Sequence, residues 1–196
     1  KTSRDGQRRY HFLLFTDALV YARPKVVNTS KLELKKIIDT EAILVLPVPP
    51  GETHAPGTFR LMSRVKSFYV CAGDEEGACA WMEAISAAAQ QRREQQGTSI
   101  TENNCAIIPA IDDATACHIC TKSFGFLSRK EFCGNCGNAV CASCATEKLR
   151  IPRLEDKTLF KVCSNCAREI KSQRQYGVRP QNRSPQRVRP GASAQR

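Results

Sequence analysis

The chain has 196 residues, 41% of them hydrophobic and 25% charged, which is room for one ordinary domain or two small ones. No apolar run approaches the roughly 18 residues that a helical membrane span requires; such runs, 42–46 against Pro47 among them, reach only five residues. The net charge of +11 is concentrated in residues 172–196, which hold six arginines and no acid. A terminal basic segment therefore explains the high pI better than a nucleic-acid-binding face does, and the remainder lacks the aromatic-basic platform such a face needs.

Two β-rich runs between Arg9 and Arg23 flank Thr16-Asp17, the pattern of a hairpin. Short strands are expected at 31–38, 42–46, 58–62 and 67–71, separated by the turn formers of 47–51 and by Pro56-Gly57. A helix is expected over about 74–95. It opens with Glu75 and Glu76, where the helix dipole favours acids, and Ala78, Trp81, Met82, Ile85 and Ala89 make one apolar stripe. Strands in succession followed by one amphipathic helix predict an α+β unit, a small antiparallel sheet or barrel closed by that helix. Residues 97–113 read as a polar linker. From Ser172 onward Arg, Gln, Pro and Ser dominate, with too few apolar residues to offset ordering entropy, so 172–196 is expected to be a disordered basic tail.

Between linker and tail lie four C-x-x-C pairs: Cys117/Cys120, Cys133/Cys136, Cys141/Cys144 and Cys163/Cys166. A two-residue spacing lets one tight turn aim two thiolates at one ion, and Zn²⁺ takes four such ligands. Eight thiolates make two closed zinc sites with no open position for water, which is a structural role. Four disulfides are the alternative, but nothing else in the chain has a secreted character. His118 lies inside the first pair, and His11 and His54 have no metal-ligand spacing; all three are expected to be bystanders. Cys71, Cys79 and Cys105 read as ordinary residues. No phosphate-cradling glycine loop, nucleophile elbow or H-E-x-x-H helix is present, so the chain is not expected to be an enzyme.

Two resemblances follow. The Phe12–Tyr21 hairpin, the Lys66-Ser67-Phe68-Tyr69-Val70 strand and Trp81 in the closing helix make residues 1–96 resemble a pleckstrin-homology (PH) domain. That family starts with a strand of which only the end fits before the hairpin, so the chain is read as part of a longer protein. The cysteine spacing, Phe124, Cys136-Gly137, Arg129-Lys130 and Lys161-Val162 make residues 114–171 resemble a FYVE zinc finger. The resemblance implies interleaved sites: Cys117, Cys120, Cys141 and Cys144 on one ion, Cys133, Cys136, Cys163 and Cys166 on the other. RING fingers are cross-braced too, but usually include a histidine ligand.

The same resemblance implies binding to phosphatidylinositol 3-phosphate on endosomal membranes, and here the motif is incomplete. Where the family has R-[R/K]-H-H-C-R, this chain reads Arg129-Lys130-Glu131-Phe132-Cys133-Gly134. Both histidines and the second arginine are missing, Lys161 replaces the arginine of the fourth pair, and 107–110 replaces W-x-x-D. Arg129, Lys130 and Lys161 remain as head-group contacts, with Glu131 repelling an anion or pairing with a neighbouring cation. Phe126 and Leu127 occupy the loop that the family dips into bilayers. In the PH part, Lys1, Arg4, Arg8 and Arg9 sit where lipid-binding members place basic residues.

The whole resembles a phafin-type PH–FYVE tandem: a two-zinc, non-enzymatic adaptor on phosphoinositide-bearing, endosomal membranes. A lipid-blind finger that binds a protein such as a small GTPase, or the regulatory end of a PH–FYVE Rho exchange factor, are the alternatives.

Overall fold

The computed structural model describes residues 2–3, 6–25, 31–109, 114–126, 128–154 and 157–176. Two short strands, β1 (Thr2–Ser3) and β2 (Gly6–Gln7), pair with each other. The first larger sheet is antiparallel, in the order β3 (His11–Leu14), β4 (Ala18–Pro24), β5 (Leu32–Asp39). The second follows in the order β6 (Ile43–Pro47), β7 (Thr58–Ser63), β8 (Phe68–Cys71). The expected hairpin and strands all form, each shifted by no more than a residue or two.

The inner faces of both sheets meet in one core of Leu19, Tyr21, Ile38, Ile43, Phe59, Leu61 and Phe68. Tyr21 sits among aromatic rings, 5.5 Å from Tyr10, 5.5 Å from Phe12 and 5.4 Å from Phe68. Burial, with the neighbouring Tyr10, pushes its phenol up to about 12.

Helix α1 (Glu75–Gln96) closes this core. Asp74 caps its start by accepting the Gly77 amide at 2.7 Å. Gly97 ends it at φ 64°, the left-handed conformation that glycine adopts without a Cβ penalty. The stripe is as expected: Ala78, Ile85 and Ala89 are buried, Trp81 and Met82 half-buried against the sheets. Trp81 packs edge-on to Phe12 at 6.4 Å. Near the helix end Arg93 donates to Ile43 O at 2.9 Å and ties α1 to β6.

The linker read as polar and featureless is docked. Cys105 and Ala106 are buried, and the Ala106 amide donates to Ser63 O at 2.8 Å on β7. Arg60 of β7 pairs with Glu102, and Arg64 donates to Ser99 O at 3.2 Å.

Beyond it lie two small antiparallel hairpins, β9 (Lys130–Phe132) with β10 (Ala139–Cys141), and β11 (Glu147–Leu149) with β12 (Phe160–Val162). Helix α2 (Ser164–Tyr176) follows. It runs past residue 172 into the stretch expected to be disordered; Arg, Gln and Lys are good helix formers, and Ile170 anchors the helix in the finger's core. The rest of the expected tail, 177–196, lies outside the described residues.

Candidate metal centres and finger loop

Each cysteine pair sits on a tight turn closed by its own backbone. The amides of Thr121, Gly137, Ala145 and Ala167 donate to the carbonyls of Cys117, Cys133, Cys141 and Cys163 at 2.8, 2.8, 3.1 and 2.8 Å. In the first two turns the residue after the second cysteine is left-handed: Gly137 at φ 78° and Thr121 at φ 59°. Glycine takes this freely, whereas a β-branched residue is strained there.

The pairs interleave. Cys117, Cys120, Cys141 and Cys144 form one group and Cys133, Cys136, Cys163 and Cys166 the other, with all sulfurs of a group within 4.8 Å of one another. Cys120 Sγ and Cys141 Sγ stand 3.8 Å apart. A tetrahedral zinc–thiolate centre with Zn–S of about 2.3 Å requires an S···S edge of about 3.8 Å, so the donor set and spacing fit Zn²⁺.

The two centres repeat one device. The Cys141 amide donates to Cys117 Sγ at 3.3 Å, and the Cys163 amide to Cys133 Sγ at 3.3 Å. Burial works against charge on Cys117, but the amides of Cys120, Cys141 and Ile119 outweigh it and bring the thiol down to about 6. Cys133 is held well below the usual thiol range by sulfur contacts from Cys136, Cys163 and Cys166. Cys163 of the second centre is likewise brought down, to about 7. The second is the more enclosed: Cys133, Cys163 and Cys166 are buried, whereas Cys120 of the first is exposed. Around both lies a core of Val140, Ala145, Ile151, Leu154, Val162 and Ile170.

Arg153 joins the second centre to the linker. It donates to Cys105 O at 2.7 Å, Asn103 O at 2.9 Å and Asn135 O at 3.4 Å. Asn135 lies inside the Cys133/Cys136 turn. Burial pulls the guanidinium down from its ordinary value, while Cys105, Cys133 and Cys166 favour its charge. On the same side Ile107 Cγ2 lies 3.0 Å from where a β carbon on Gly137 would stand. Sequence patterns could not reveal this brace, since bonds to main-chain carbonyls leave no side-chain signature.

The residues expected to meet lipid are only partly brought together. Gly125 and Ser128 exchange two backbone bonds of 3.1 Å and hold a tight turn. Phe126 on that turn is fully exposed at 104%, and Leu127 lies outside the described residues. Arg129 follows, exposed, and Lys130 lies with its Nζ 5.4 Å from the centre of the Phe124 ring. Lys161 is otherwise engaged: its Nζ is 3.3 Å from Glu131 Oε1, across from β9. Gly134 has a local reason to be glycine. A β carbon there would stand 2.7 Å from Phe160 Cβ and 3.1 Å from Phe160 Cδ1, so an arginine at this position is excluded while Phe160 stays in place.

Of the PH-side basic residues, Arg8 and Arg9 are exposed, while Lys1 and Arg4 lie outside the described residues. Among the described residues the two sulfur groups include no histidine: His118 and His11 are exposed, and His54 lies 3.1 Å from Glu52 and stacks on Tyr69 at 4.2 Å. Among the described residues no helix is long and apolar enough to cross a membrane.

Comparison with known proteins agrees with this geometry. The family model "PH domain" matches residues 1–90, and "FYVE zinc finger" matches 109–172. Pleckstrin homology domain-containing family F member 1 of Mus musculus is 34% identical over 167 residues, covering 83% of this chain and 58% of the relative. Family F member 2 of Danio rerio is 28% identical over 171 residues, 87% of this chain and 68% of the relative. FYVE, RhoGEF and PH domain-containing protein 6 of Homo sapiens is 27% identical over 188 residues, 87% of this chain but 13% of that longer protein.

Proposed function

The chain joins a PH domain to a two-zinc FYVE finger, and from that premise we propose that it is a non-enzymatic adaptor carried to anionic, phosphoinositide-bearing membranes, including those of endosomes, by the tip of its finger. The observation that carries this reading is Phe126, wholly exposed on a turn held by two backbone bonds, with Arg129 and Lys130 three and four residues further on. An apolar tip beside cations suits the boundary between acyl chains and anionic head groups. The zincs supply folding energy and shape; no reaction is performed on them.

The same region limits what the finger can recognise. Stereospecific capture of a head group needs several convergent donors. Lys161 is neutralised by Glu131, and Gly134 offers no side chain. Arg129 and Lys130 therefore attract charge without enclosing a particular phosphate. Attraction of this kind is worth about 1 kcal/mol per basic residue near an anionic surface, and the six arginines of 172–196 add to it.

The Glu131–Lys161 pair favours one second reading, a finger that has left lipids for a protein partner such as a small GTPase. Co-sedimentation of the zinc-loaded chain with phosphatidylserine vesicles separates the two. Phe126→Glu reduces pelleting severalfold if the tip inserts, and leaves it unchanged if the finger ignores membranes.

A further inference from the structure

One peptide bond of the linker is held from both sides. The Cys105 carbonyl accepts from Arg153 Nη1 at 2.7 Å, and the Ala106 amide donates to Ser63 O at 2.8 Å. That carbonyl and that amide belong to the same planar unit and point to opposite sides of the chain. The plane therefore bridges Arg153 of the finger and the last residue of β7. Cys105 is 1% exposed and Ala106 5%, so neither bond can be traded for water without opening the packing.

Both ends of the bridge are anchored. On the finger side Arg153 stands between Ile151 and Leu154, which are buried in one core with Cys133, Cys163 and Cys166. The same guanidinium reaches Asn135 O, inside the Cys133/Cys136 turn, and Asn103 O in the linker. Ile107 lies against Gly137, which closes that turn. On the other side Ser63 is fully buried. Its hydroxyl donates to Lys66 O at 2.8 Å and its amide to Ser67 Oγ at 3.2 Å, so the turn between β7 and β8 fixes where its carbonyl points. Glu102 pairs with Arg60 of β7, and Arg64 donates to Ser99 O at 3.2 Å.

We infer that the Cys105–Ala106 peptide couples the second zinc centre to the PH domain, so that an ion held by Cys133, Cys136, Cys163 and Cys166 stabilises a sheet that contains none of them. Metal binding and folding are one equilibrium in a small finger. An ion at the second centre fixes the Cys133/Cys136 turn and the 151–154 turn. These fix Arg153, and Arg153 holds the peptide plane against Ser63. When the ion leaves, the finger-side donors are released and the linker rests on β7 by its own contacts alone. The coupling is mutual: a folded PH domain makes the second zinc harder to remove. Arg153 is a positioning residue, acting through the peptide. The assignment uses no residue of the finger's tip and is independent of the membrane reading.

Trp81 makes the test direct. It is the only tryptophan of the chain and packs against the PH core, so its fluorescence follows the unfolding of that domain. The full chain is melted zinc-loaded and again after removal of zinc with EDTA. A coupling equal to one net hydrogen bond moves the midpoint of a domain of this size by about 4–8 °C. The Trp81 midpoint of the parent should fall by that much when zinc is removed. Zinc-loaded Arg153→Ala should melt near the lower midpoint, and removing its zinc should move it little further. Ala106→Pro cuts the bridge from the other side. It deletes the amide and leaves Arg153 in place, and Cys105 at φ −96° and ψ 153° already has the extended backbone that precedes proline. This variant should lose the zinc dependence as well, and it decides alone if Arg153→Ala does not load two ions. The inference is overturned if the Trp81 midpoint of the parent is the same with and without zinc, or if either zinc-loaded variant keeps the full shift.

Discussion

Gly134→Ala puts a β carbon 2.7 Å from Phe160 Cβ and 3.1 Å from its Cδ1, with Lys161 O at 3.3 Å. Real carbons do not approach that closely, so the turn must move, and the turn carries Cys133 and Cys136. Overpacking of this kind costs about 1–3 kcal/mol. Folding and metal binding are one equilibrium in such a finger, so the cost appears as about 5- to 160-fold weaker zinc binding at the second centre. A chromogenic chelator competing for zinc from the full chain measures it directly: one ion per chain should become easier to extract. In a Phe160→Gly background the nearest atom is gone, and Gly134→Ala should then cost little. Unchanged zinc retention in Gly134→Ala, or an equal loss in both backgrounds, would refute the packing argument. It would also reopen position 134 to the family's arginine.

Cys141→Ser removes a buried ligand of the first centre; zinc content should fall below two per chain and dispersion of the finger's amide signals should collapse, and a folded variant holding two zincs would contradict the two-centre assignment. Arg153→Ala leaves the buried Cys105 carbonyl without its Arg153 donor; a buried group so orphaned costs about 1–3 kcal/mol, and limited proteolysis within 97–113 should accelerate while Arg153→Lys is intermediate. Cys105 is pushed up to about 11 mainly by burial, so folding favours its protonated form. That contribution is present below the ordinary thiol value and fades as pH rises toward 11, and alkylation at pH 8 should reach Cys79 and Cys71 well before Cys105. Glu131→Gln frees Lys161 and should raise pelleting with anionic vesicles by a factor of a few at low salt, an increase that disappears at high salt.

Much of this was legible in the sequence because its signals are local. Period-two runs, turn dipeptides and an acid-led apolar stripe gave every strand of the two larger sheets and helix α1 to within a residue or two. The C-x-x-C spacing gave two zinc centres, since two residues are what one tight turn needs. Which pair joins which came only from the family resemblance, and the Sγ groupings now carry it. What escaped was non-local. Glu131 finds Lys161 only because β9 and β12 come close, and Gly134 is glycine because of Phe160. The linker looked featureless because several of its contacts run through main-chain atoms, to Ser63 and Arg153, and the Arg60–Glu102 pair joins residues far apart in sequence.

On the proposed function, the finger reads membrane charge and packing, and little of the head group's stereochemistry. The most direct test of this is co-sedimentation of the zinc-loaded chain with vesicles matched in total charge, containing phosphatidylinositol 3-phosphate, other phosphoinositides, or phosphatidylserine alone. Pelleting should follow anionic charge, fall with salt, require Phe126 and differ little among the lipids. Strong selectivity for the 3-phosphate would contradict it by showing that Arg129 and Lys130 enclose a head group after all, and no pelleting with any lipid would contradict the membrane role itself.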